Sequence, residues 1–167
     1  EIRGEVIFPH KAFEEFNLKR IESGEEPFAN PRNAASGSIK LLDSKEVAQR
    51  KLECFLYYII GDGIKENLHY SRLQQARSWN FNVPQFVAIA QGVDEIMEFI
   101  NYWDEQRSNL PFDIDGIVIK LNDTNQWEKL GSTAKSPRWA TAYKFKEKKK
   151  KSKLLEIEYQ VGRTGVI

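Results

Sequence analysis

The chain has 167 residues, 41% hydrophobic and 29% charged, with a formal net charge of +1, enough to bury one core and begin a second in a soluble, globular protein. Its longest apolar run, residues 55–60, is strand-sized against the roughly 20 residues that span a bilayer, and its one cysteine, Cys54, excludes an intrachain disulfide and a cysteine-based zinc site and points to a reducing cytoplasm. With the net charge so close to zero, a polyanionic partner can be argued only from local clusters.

The chain opens at Glu1 in strand-like alternation over Ile2 to Phe8, with no signal peptide ahead of it, and its only methionine is Met97. It is therefore expected to be an excised piece whose cut falls inside a domain. Lys11 to Glu22 places Ala12, Phe13, Phe16 and Ile21 at helical spacing and stops at Ser23 and Gly24, which predicts an amphipathic helix with its polar face exposed. Residues 27–33 hold two prolines and two asparagines, and residues 34–38 are all small. This reads as a tight loop entering a short helix whose N–H groups are open to an anion.

Residues 52–60 read as a buried strand, Ser71 to Phe81 as a helix ended by Val83 and Pro84, and Phe86 to Ala90 as a further strand. Asp94 is placed to cap a longer helix with Ile96, Met97, Ile100 and Trp103 along its core stripe. Phe112 to Leu121 reads as a strand, Asn125 to Leu130 as a short helix ending at Gly131, and Arg138 to Phe145 as another strand. Lys146 to Lys153 has no apolar residue and reads as a solvated linker. Tyr159 to Ile167 reads as a strand, a glycine-bounded turn and the start of a second strand. Strands outnumber helices in this reading, which predicts an α+β domain with mostly antiparallel sheets. His10 and His69 read as surface or capping residues, and the four tryptophans as packing residues.

Two lysines sit inside apolar strands. Lys120 shares its strand face with Val118, and Lys144 shares its face with Ala140 and Ala142, which leave space beside it. Each ammonium either faces water or meets an anion in that space, because burial without a partner is costly. Carboxylates stand close in sequence: Glu5 shares a face with Arg3 and Ile7, and Asp113 and Asp115 precede Lys120. Acids and bases at sheet positions suit a site for phosphate and a divalent ion, and they equally suit structural salt bridges.

Five segments carry a resemblance: Arg3 to Val6, Asn30 to Ser38, Phe112 to Lys120, Arg138 to Phe145, and Gln160 to Gly165. Together they resemble the bacterial NAD-dependent DNA ligases over nearly the whole chain. The first and third are shared loosely with ATP-dependent ligases and capping enzymes, whereas Asn30 to Ser38 and Gln160 to Gly165 are specific to the NAD-dependent group. The resemblance implies a nucleotidyltransferase (adenylation) domain over residues 1–147, a basic linker over 148–153, and the first strands of an oligonucleotide-binding (OB) fold over 154–167. In that family a lysine attacks the α-phosphate of NAD and expels nicotinamide mononucleotide, and AMP then passes to a 5′-phosphate at a DNA nick before the 3′-hydroxyl displaces it. Phosphoryl transfers of this kind rest on positioning and charge neutralisation.

Carried over residue by residue, Glu5 resembles the carboxylate that contacts the nucleoside and the waters of Mg2+, and Asp115 an aspartate that family members require, a second candidate beside the metal. Arg32 resembles the arginine near the phosphates, Tyr57 the ring that stacks on adenine, Arg107 a required arginine, Lys120 the lysine of the adenine pocket and Lys144 the lysine that reaches the α-phosphate. Lys40, where most relatives carry arginine, and Arg163 are implied to touch DNA. Lysine keeps the charge at position 40 but loses the planar fork. The family's nucleophile lies in a Lys-x-Asp-Gly motif, which this sequence does not contain. The family's four-cysteine zinc module is likewise absent from it.

The resemblance thus implies a monomeric, cytoplasmic bacterial fragment that holds NAD or AMP, serves an enzyme acting on nicked duplex DNA, and is inactive alone. The alternative is a non-catalytic nucleic-acid-binding module that retains ligase-like strands.

Overall fold

A computed structural model describes residues 1–146 and 153–165. Strand β1 (Ile2–Ile7) pairs antiparallel with β2 (Glu53–Ile59), Ile2 opposite Ile59 and Ile7 opposite Glu53, with an irregularity between Arg3 and Gly4. A Cβ on Gly4 would lie 2.7 Å from Cys54 Sγ and 2.9 Å from the Phe55 carbonyl oxygen. Glycine is what lets the two backbones close at that irregularity.

Helix α1 (His10–Glu22) follows β1 as expected, and Gly24 leaves it at φ +75°. Helix α2 (Pro31–Ile39) starts inside the segment read as a loop. Asn30 caps it, accepting a hydrogen bond from the Asn33 N–H at 2.8 Å, and Pro31 occupies the first helical position, where a missing N–H costs nothing. The small residues have a packing role as well: Ala34, Ala35 and Ser38 are buried, the alanines clustering with Phe8 and with Phe13, Phe16 and Phe28 packed around them. Arg50, the C-cap of α3 (Ser44–Gln49), closes this cluster. It donates to Ser38 Oγ at 2.8 Å and Glu46 Oε1 at 2.6 Å, and its guanidinium lies over the Phe16 ring. No periodic signal in the sequence announced α3.

The second core joins Leu56 and Ile59 of β2 to Leu73 and Ala76 of α4 (His69–Ser78) and to Val83. Helix α5 (Val93–Gln106) begins at Gly92, so Asp94 sits within the first turn and is not the cap, and Glu95 accepts from the Gln91 N–H. Only Ile100 of its expected core stripe is fully buried. A 3-10 turn (Arg107–Asn109) leads to β3 (Gly116–Lys120), which pairs antiparallel with β4 (Ala140–Lys144). Between them α6 (Asn125–Leu130) ends at Gly131 with φ +64°.

The mixed α and β content and the two small antiparallel sheets agree with the expected class, but the described residues hold four strands and six α-helices, so strands do not outnumber helices. Phe86 to Ala90 forms no strand; no ladder partner lies beside it among the described residues. Residues 153–165 likewise form no strand, and the OB-like expectation reduces there to a turn in which the Gly165 N–H reaches the Gly162 carbonyl at 2.9 Å. Most of the expected linker, residues 148–152, and the expected last strand at 166–167 lie outside the described residues. Among the described residues no helix is long and apolar enough to cross a membrane.

Candidate functional site

The β3–β4 hairpin sets the geometry. Gly116 faces Lys144 across the ladder, and a Cβ on Gly116 would lie 2.1 Å from the Tyr143 carbonyl oxygen. Any larger residue would push the strands apart. The close approach brings Asp115, just ahead of the strand, to Lys144 at its partner's end: Lys144 Nζ donates to Asp115 Oδ2 at 2.7 Å, and the Phe145 N–H donates to the Asp115 carbonyl at 2.9 Å. Arg32, in the first turn of α2, reaches the same Oδ2 with Nη1 at 3.4 Å. The hydrogen bond from Lys144 holds the Asp115 carboxyl below its ordinary pKa, with the charges of Lys144 and Arg32 adding to the effect.

These three side chains are largely exposed, at 69% for Lys144, 62% for Asp115 and 80% for Arg32. Ion pairs this exposed add at most about 1 kcal/mol to stability. The cations of the cluster keep most of their donors open toward solvent.

Gly116 also lines a cavity of about 770 Å³ beside the hairpin, walled by Phe55, Tyr57, Phe86, Ile117 and Ile119 among others. Lys120 is the lysine of that wall. Its Nζ donates to the Tyr57 carbonyl at 2.9 Å and stands 4.8 Å from the centre of the Tyr57 ring. Burial pushes its pKa down to about 8. A mostly apolar cavity of this volume with one ammonium and an aromatic wall suits a planar, polar-edged ligand.

Glu5 of β1 lies directly opposite Phe55 of β2, a residue of the cavity wall. It is exposed and makes no ion pair among the described residues. Among the described residues no three His, Cys, Asp or Glu side chains converge to hold an ion. Asp115 has its Oδ2 held by Lys144 and Arg32.

Arg107 packs against the end of β4. Only 17% of its side chain is exposed; Nη2 bonds Asp104 at 3.3 Å and the Lys146 carbonyl at 3.1 Å, and the guanidinium lies 5.1 Å from the Phe145 ring centre. It clasps the chain just beyond Lys144 and makes no bond to Asp115 or Arg32. Lys40 is the exposed C-cap of α2 and Arg163 lies exposed in the 162–165 turn. Neither is brought to the cluster.

Two residues escaped the sequence reading. His69, expected at the surface, is 7% exposed beside the Trp127 ring, and burial lowers its pKa to about 4. Arg50 offered no signal beyond an arginine ahead of an apolar run. Trp127 is buried as expected, whereas Trp79 is half exposed and packs little.

The family model described as the NAD-dependent DNA ligase adenylation domain matches residues 1–148. Over its whole length the chain is 52% identical to a DNA ligase of Christiangramia forsetii, 51% to one of Flavobacterium johnsoniae and 49% to one of Cytophaga hutchinsonii. It spans 25% of the length of each of these relatives. The chain belongs to the adenylation-domain family of NAD-dependent DNA ligases.

Proposed function

We propose that this chain holds the adenosine and α-phosphate half of NAD, the adenylate donor, within an NAD-dependent DNA ligase that seals nicks in duplex DNA through a lysyl-AMP and then a DNA-adenylate. The observation that supports the reading is the convergence of Arg32, Asp115 and Lys144 from three separate motifs, with Asp115 next in sequence to Gly116, which lines the same cavity as Lys120. In this reading Tyr57 stacks on adenine and Lys120 donates to its ring edge. Lys144 and Arg32 neutralise the phosphate as charge develops, while Asp115 keeps the two cations in place. Arg107 acts as a positioning residue for the end of β4.

A magnesium ion, when bound, would supply further charge neutralisation on the transferring phosphate. Glu5 is the carboxylate free to hold its waters. Lys40 and Arg163 are assigned to DNA phosphates, residues 1–147 to the adenylation domain, 148–153 to a linker and 154–167 to the start of an OB-fold. The whole enzyme is taken as a monomer of the bacterial cytoplasm.

No Lys-x-Asp-Gly motif occurs in the sequence, and Lys120 and Lys144 are both engaged with other groups. The chain alone is therefore expected to bind AMP without becoming adenylated. Incubation with labelled NAD and magnesium should leave no lysine–AMP adduct, and a clear adduct would refute the missing nucleophile. AMP should bind the unmodified chain more tightly than Lys120→Ala; equal affinities would sink the pocket assignment.

A further inference from the structure

A second cleft, of about 660 Å³, opens beside α4 and α6 and shares only Arg138's neighbour Trp139 with the first cavity. One wall is a ring stack: Trp127 and Trp139 lie parallel at 3.8 Å, and Tyr58 stacks on Trp127 at 5.8 Å. Arg72 of α4 lines this cleft while being only 8% exposed. Its Nε donates to the Glu66 carbonyl at 2.6 Å, but Nη1 is buried without a hydrogen-bond partner, and no carboxylate forms an ion pair with it among the described residues. Arg3 lines the same cleft with its guanidinium 5.0 Å from the Tyr58 ring centre, one edge taken by Glu1. Thr124, Asn125 and Ser132 add hydroxyl and amide groups to the lining. Glu128 also lines the cleft and pairs with neither arginine.

A buried guanidinium with no counter-charge is an arrangement that folding alone disfavours. Its planar fork matches two oxygens of a tetrahedral oxyanion, and a second arginine at the rim reinforces the match. We propose that this cleft binds a phosphate group through Arg72 and Arg3. The site is separate from the Lys144 cluster, and no part of it rests on the proposed adenylate pocket. A free phosphate and the 5′-phosphate of a nucleic acid end offer the same chemistry.

The test uses the 167-residue chain, inorganic phosphate as the probe, and tryptophan emission as the signal, since Trp127 and Trp139 form the wall. A saturable change is expected in the unmodified chain and in Lys144→Ala, weakened at least about tenfold in Arg72→Gln and several-fold in the surface variant Arg3→Gln. A response lost in Lys144→Ala but kept in Arg3→Gln, or no saturable response at all, overturns the site. Should Arg72→Gln fail to fold, the side-chain NMR resonance of Arg72 in the unmodified chain decides: movement on adding phosphate supports the site, and a stationary resonance refutes it. Oligonucleotides with and without a 5′-phosphate separate the sources. Tighter, Arg72-dependent binding of the phosphorylated strand assigns a nucleic acid end, and phosphate binding with no such gain assigns a free phosphate. Oligonucleotide binding indifferent to both the 5′-phosphate and Arg72, with no response to inorganic phosphate, refutes both.

Discussion

Replacing Lys120 by methionine tests whether burial in the cavity wall, and not mere proximity to Tyr57, governs this lysine. The fall of its pKa from 10.5 to about 8 corresponds to about 3 kcal/mol against the charged form in the folded chain. Partial exposure of the ammonium reduces the effective figure to about 1–3 kcal/mol. Because the folded pKa is lowered, the unfolded chain holds the extra proton between pH 8 and 10.5, so stability rises with pH across that window and the penalty is fully present below it. From pH 7 to about pH 9.5 the unmodified chain should gain about 1–2 kcal/mol relative to Lys120→Met. Lost donation to the Tyr57 carbonyl shifts the variant by about 1 kcal/mol at either pH and cancels in that difference. Urea unfolding of both proteins at the two pH values reads the quantity directly. Stabilities that move in parallel from pH 7 to 9.5 would show that the cavity does not desolvate Lys120.

His69 supplies the acid counterpart: with its pKa lowered to about 4, the chain should lose about 1–3 kcal/mol as pH falls from 6.5 to 4, and His69→Gln should flatten that limb in urea melts near pH 4.5 and 6.5. Gly116→Ala, whose new Cβ meets the Tyr143 carbonyl oxygen at 2.1 Å, should cost about 1–3 kcal/mol or more, read as a fall in thermal midpoint; an unchanged midpoint would mean that the hairpin opens freely there. Arg107→Ala should speed amide exchange at Phe145 and loosen AMP binding, and Arg107→Lys should restore little of either, because lysine cannot hold Asp104 and the Lys146 carbonyl with one planar group. Full rescue by lysine would reduce Arg107 to a charge.

Local pattern carried most elements whose reason is local. Alternation located β1, β2 and the hairpin strands, and the stop at Gly131 gave α6 its boundary, because a positive φ there suits glycine. Alternation also marked Lys120 and Lys144 as anomalous within apolar strands. It could not say where their ammonium groups end, since Lys120 finds a carbonyl 63 residues away and Lys144 finds a carboxylate 29 residues away. Phe86 to Ala90 shows the same limit from the other side: its residues favour a strand, but a strand exists only with a neighbour to bond. The small residues of α2 were legible as permitting close approach, yet the structure seats the alanines against Phe8, while the exposed Arg32 on the same helix turns toward Asp115. His69 and Arg50 are buried polar groups, and burial is a property of the assembled core that composition near them does not announce.

The charge arithmetic at Asp115 explains why an acid belongs beside the two cations assigned to a phosphate. Lys144 and Arg32 converge on one oxygen; without that carboxylate two exposed like charges would repel, and their long side chains would disperse in water. Asp115 offsets the repulsion while using one donor of three on the ammonium and one of five on the guanidinium. The cluster keeps a net positive charge and most of its donors before any ligand arrives, which is the preorganisation that the proposed phosphate-binding role would use. Its lowered pKa keeps the carboxylate ionised well below neutral pH, so the arrangement does not depend on the phosphate to assemble it. In this geometry Asp115 is the residue that lets two cations wait in the same place.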